Sequence, residues 1–189
     1  MKLDIYYTAL KTYDSDNKNG FSWEEYKKFS EINHLKELVS LDGILNGLAF
    51  IPDLDASEEW KYMVTENGMV MFFFNNLEYV LSKVNHLEFF NLLAVIKEPT
   101  KEKADLSTTY DFIGYDLIGI GGDVSALTNC GGFDETFLPN DLNAYGLISE
   151  YDKAKKILKE LPINNPEEQH ADCNLYEVWR HKIIGRKTN

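Results

Sequence analysis

Two cysteines in 189 residues are too few for a disulfide scaffold, and neither belongs to a Cys-x-x-Cys pair that would seed a zinc site. Long apolar runs are lacking too. The longest, Met69 to Phe74, falls far short of the roughly 20 residues a spanning helix needs. The opening Met1-Lys-Leu-Asp-Ile holds no apolar run of signal-peptide length. Basic residues are scarce: 19 Lys and Arg stand against 31 Asp and Glu, a net charge of −12. The deficit is spread along the chain, with 9 basic and 16 acidic side chains in residues 1–100 and 10 and 15 in residues 101–189. A field of that sign repels phosphate backbones, which argues against nucleic acid as a partner and for a basic protein. Nor is there an internal repeat, a low-complexity tract or a linker. These absences predict a soluble cytoplasmic protein, not a membrane one, folded as a single domain over residues 1–189.

What is present suits a packed core. Hydrophobic residues make up 44% and aromatics 13% of the chain. Ser22-Trp-Glu-Glu25 spells a capping box, and Trp23, Tyr26, Phe29, Ile32, Leu35 and Leu38 recur at every third position behind it, predicting a helix from Ser22 to Val39. Residues 41–57 are punctuated by Asp42-Gly43, Asn46-Gly47 and Pro52 and read as short strands or loops. Trp60, Tyr62 and Val64 alternate with polar neighbours before Asn67-Gly68, so a β-hairpin is expected, its return strand Met69 to Phe74 central and covered on both faces. A short helix is expected over Leu77 to Val84, with strands over Phe89 to Ile96, Phe112 to Ile120, Val124 to Cys130 and Leu175 to Ile184. Thr100 to Thr109 reads as a surface loop. Ser149-x-x-Asp152 opens a last helix that should stop at Pro162. The fold class is α+β: a mainly antiparallel sheet with helices packed on it.

Four constellations carry candidate chemistry. Asp14 to Glu25 places Asp14, Asp16, Phe21, Ser22 and Glu25 where a calcium-binding EF-hand loop has its first, third, eighth, ninth and twelfth positions. Lys18 stands where an oxygen ligand belongs, and Gly20 falls one place late for the sharp turn. A polar turn running into the capping box accounts for the same residues. Cys130, His170, Asp172 and Cys173 hold a thiol and an imidazole, the ingredients of a cysteine nucleophile with its base, or merely a buried thiol ahead of a Gly-Gly turn. Gly119-Ile-Gly-Gly-Asp123 is glycine-rich but opens no helix and carries no lysine, so it reads as a turn and not a phosphate loop. Asp53, Asp55, Glu58 and Glu59 lead into Trp60, an acidic stretch beside an aromatic anchor, which is the composition of a docking surface for a basic partner. These five residues are the predicted partner-binding site. No catalytic residue, resident metal or cofactor is expected, and a cysteine-dependent enzyme or a single-loop calcium module is the alternative.

Phe112-Ile-Gly-Tyr-Asp-Leu, Asn129-Cys-Gly-Gly-Phe and His170-Ala-Asp-Cys-Asn-Leu-Tyr-Glu-Val-Trp-Arg180 together resemble the immunity proteins of bacterial polymorphic and contact-dependent toxin systems. The likeness covers about the last 80 residues. It implies an acidic, cytosolic, single-domain protein that binds one toxin domain, often a basic nuclease, and blocks its active site. That family has no shared catalytic residues to carry over.

Overall fold

Among the described residues four antiparallel strands lie side by side in the order Ile5–Lys11 (β1), Phe90–Lys97 (β2), Cys173–His181 (β4) and Tyr110–Gly119 (β3) and form the frame. A computed structural model describes residues 4–16, 22–53, 55–64, 72–102, 104–120, 124–129, 136–166 and 171–185. The helices are α1 (Trp23–Ser30), the single turn α2 (Ser57–Trp60), α3 (Leu77–Val84) and α4 (Tyr151–Asn164). The α+β class expected from the sequence is the one observed.

The register assigns each side chain to a face. Tyr7, Ala94, Trp179 and Phe112 stand side by side across all four strands, so they share one face. On that face α3 sets Tyr79, Val80 and Val84 against Ala9, Phe90 and Leu92. At its other end α4 brings Ala154, Ile157 and Leu161 into the cluster with Tyr115, Leu117 and Leu175. The second face carries Leu93, Val95, Tyr176 and Val178, covered by Val39, Leu41, Phe73 and Leu147. Both inner strands are thus enclosed, which is why Leu92 to Ile96 is apolar without alternation.

Several sequence expectations are corrected. The helix begun by the Ser22 cap ends at Ser30, because Glu31 turns left-handed at φ 55°. Ile32, Leu35 and Leu38 are buried as their spacing implies, but the backbone there bonds elsewhere: Lys36 N donates to Ala144 O, Leu38 N to Tyr13 O and Val39 N to Tyr145 O. Trp60 lies in a helical turn, not a strand. Among the described residues Met63 and Phe74 form one bridge of the expected hairpin, and its Asn67-Gly68 turn lies outside them. The inner strands are β2 and β4; of the expected return strand, residues 69–71 lie outside the described part, and Phe74 bridges Tyr7 on the outer strand β1. Ser125 makes one bridge to Ile118, after which 126–129 turns away, so Val124 to Cys130 is not a strand. Helix α4 is capped at Glu150 and runs through Pro162 to Asn164. β1 has no counterpart in the sequence reading.

Gly114 marks the bulge in β3, where the register with β4 slips between Phe112 and Gly114. Its φ is +144°, and a Cβ there would stand 2.6 Å from Leu147 Cβ and 3.0 Å from Ile148 O. Glycine is therefore what lets residues 147–148 lie against the edge of β3.

Candidate functional site

The acidic stretch folds into a turn fixed from within. Asp53 Oδ1 accepts from Asp55 N at 3.1 Å and Ala56 N at 3.3 Å, a local clasp typical of aspartate at turns. Glu59 points the other way, towards α3. Its Oε2 accepts from Tyr79 OH at 2.7 Å and Asp53 N at 2.9 Å, while Lys83 Nζ pairs with its Oε1. The lysine ammonium first, then the tyrosine hydroxyl, hold this carboxyl well below the usual range, at about 2. Tyr62 stacks on Tyr79 with ring centroids 4.6 Å apart and Lys83 lies over the same ring, so α3 forms a platform under the turn.

The five predicted residues therefore split. Asp53, Asp55, Glu58 and Trp60 lie at the surface; Glu59 does not, because its charge is consumed in holding the turn to α3. Trp60 is 45% exposed and nearby Ile51 90% exposed, two large apolar side chains beside the carboxylates. Glu58 faces solvent, paired with Lys61 at 3.0 Å in an exposed contact that contributes little.

At the candidate calcium loop, the described residues show the contacts of the capping box. Glu25 is engaged as the second half of the capping box, accepting from Ser22 Oγ at 2.6 Å and Ser22 N at 3.2 Å, and Asp14 Oδ1 accepts from Asp16 N at 2.9 Å. Residues 17–21 lie outside the described part. Among the described residues no three His, Cys, Asp or Glu side chains are gathered as a metal site. Cys130 and His170 also lie outside the described residues, as do Gly121 to Asp123. Cys173 is buried at the start of β4 beside Leu175, a core position. His34 bonds to Leu142 O at 2.7 Å and His181 Nδ1 accepts from Ile184 N at 3.0 Å, both structural uses.

Two buried polar clusters went unread in the sequence. On the second face of the sheet, Arg180 Nη1 donates to Glu37 Oε2 at 2.7 Å and Nη2 to Tyr145 OH at 2.9 Å, while Asn91 Nδ2 donates to Glu37 Oε1 at 2.6 Å. Further along β3, Asp116 is fully enclosed and joined to Ser40, Leu41 and Ser125, with Asp42, Thr128 and Asn129 around it. Asp116 stood out as one carboxylate inside the apolar run Tyr115 to Ile118; that was the available signal. No known protein family, curated protein or solved structure matches the chain.

Proposed function

We propose that this chain is a binding protein that docks the acidic turn at residues 51–60 onto a basic protein partner, and that the partner is a toxin domain, as the resemblance of the C-terminal half to bacterial immunity proteins implies. The supporting observation is the inward anchoring of Glu59. It leaves Asp55, Glu58, Trp60 and Ile51 displayed on a turn that is already ordered. A pre-ordered loop loses less conformational freedom on docking, which raises affinity without new contacts. The displayed carboxylates speed encounter with a basic surface, and an aromatic at the centre slows release. The net charge of −12 adds a long-range pull of the same sign. Occluding a toxin's active site needs no catalytic residue of its own. It places the protein in the cytoplasm of a bacterium, where such a toxin acts; no helix among the described residues is long and apolar enough to cross a membrane, in keeping with that setting.

The test is a binding measurement against the toxin domain encoded immediately upstream of the gene. Charge reversal at Asp55 and Glu58 together should lower the association rate about tenfold at low salt, with the difference shrinking as salt rises. Trp60→Ala should cost about 2 kcal/mol of affinity through faster dissociation. Rates that are indifferent to all three changes, or an upstream gene of metabolic function, would refute the proposal.

A further inference from the structure

The clasp around Asp116 is built from groups of two kinds, and the difference matters. Asp42, the other carboxylate acting on it, accepts only from N–H donors: Ile44 N at 2.8 Å and Leu45 N at 3.2 Å on Oδ1, Ser125 N at 2.9 Å and Asn129 Nδ2 at 2.8 Å on Oδ2. Asp116 is different. Its Oδ1 accepts from Leu117 N at 2.9 Å and Ser125 Oγ at 2.7 Å, and its Oδ2 from Leu41 N at 2.8 Å. Ser40 Oγ stands 3.5 Å from Oδ2, at the outer limit of a hydrogen bond, yet only 2.9 Å from Thr128 Oγ1. Ser40 also accepts from Asp42 N at 3.2 Å. With its own hydrogen turned to Thr128, it presents a lone pair to Asp116.

We propose that Asp116 is a proton-storing group: in mild acid its Oδ2 takes up a proton and donates it to Ser40 Oγ, while Ser40 donates to Thr128 Oγ1, so the clasp binding residues 38–46 and 124–129 to β3 tightens as pH falls. The surroundings favour this. Asp116 has no solvent exposure, and among the described residues the charge acting on it is that of Asp42, with no cation to offset either. Among the described residues, the hydroxyls of Tyr26 and Tyr176 also act with it, and burial keeps both protonated far above neutrality. Burial first, and the Asp42 charge last, push the Asp116 carboxyl up to about 6 against the pull of the Leu41, Ser125 and Leu117 donors. A folded-state value above the unfolded 3.8 means that the contribution is fully present below that ordinary value. It is lost as pH rises through about 6. The span corresponds to roughly a hundredfold in the folding equilibrium.

The deciding measurement is the titration of the Asp116 carboxyl carbon by NMR in the whole protein, from about pH 4.5 to pH 8. The wild type should titrate near pH 6. Ser40→Ala removes the acceptor of the proton and should lower the midpoint by half a unit or more; were Ser40 instead a donor to the carboxylate, the same change would raise it. Thr128→Val turns the Ser40 hydrogen back onto Asp116 and should also lower the midpoint, which gives the same reading should Ser40→Ala not fold. An Asp116 that stays ionised throughout the range overturns the proposal, as does a midpoint that these variants leave in place or raise.

Discussion

Arg180 and Glu37 meet at 2.7 Å across 143 positions of chain, joining the last strand to the loop that follows α1. Both are largely enclosed, with side-chain exposures of 10% and 16%. Removing one partner of such a pair leaves a buried charge without compensation. Glu37→Ala should therefore cost about 3 kcal/mol or more in urea unfolding, and Arg180→Met in that background should return part of the loss.

Within the acidic turn, neighbouring glutamates should behave oppositely. Glu59 holds Lys83, Tyr79 and the Asp53 amide, whereas Glu58 meets only an exposed lysine among the contacts described. Glu59→Ala is expected to lower stability by about 1–3 kcal/mol through the orphaned partners, and Glu58→Ala by less than about 0.5 kcal/mol. Thermal melts of the two variants, run beside partner binding, separate the anchor from the contact.

Acid should loosen that turn before the core. The Glu59 carboxyl sits at about 2 in the fold, and Asp141, beside Lys153, is likewise lowered. Groups depressed in this way contribute stability above their ordinary values that is lost as pH falls, for Glu59 from near 4.5 towards 2. Asp116 acts in the opposite sense between about pH 6 and pH 4. Stability should thus peak between about pH 4 and pH 5, and below pH 4 the emission of Trp60, the one exposed tryptophan of three, should shift before global unfolding. A Trp60→Phe control identifies the signal.

Gly114→Ala should be a costly single methyl. The added Cβ would meet Leu147 Cβ at 2.6 Å from a backbone at φ +144° that L-residues avoid. A loss of about 2–4 kcal/mol is expected, with the 143–148 segment losing hydrogen-exchange protection first. Gly47→Ala, where a Cβ meets nothing within 4 Å, is the control.

How much of this was legible depended on where each signal acts. The Ser22 capping box and the α3 pattern are local, needing only neighbours in sequence, and both were read correctly; so were β2 and β3, whose apolar runs exceed what a surface allows. Three-residue spacing misled at Ile32 to Leu38 because burial recurs there without helical bonding; the amides of Lys36 and Val39 find carbonyls more than a hundred positions away. The inward turn of Glu59 was invisible because nothing near it in sequence announces Tyr79 and Lys83. The same holds for Arg180 with Glu37. Composition named the acidic surface, but only tertiary contacts decide which of its carboxylates face outward.

Single bridges along both outer strands shape how anything else can attach. On β1, Tyr7 exchanges amide and carbonyl with Phe74, Lys11 N donates to Gly47 O and Ala9 O accepts from Ala49 N. On β3, Tyr115 does the same with Ile148, and Ala126 N caps Leu117 O. A visiting extended peptide would have to displace these short stretches before it could add to the array. Capture by strand addition is thereby disfavoured, self-stacking into fibres with it, and recognition is left to side chains carried on turns and helices.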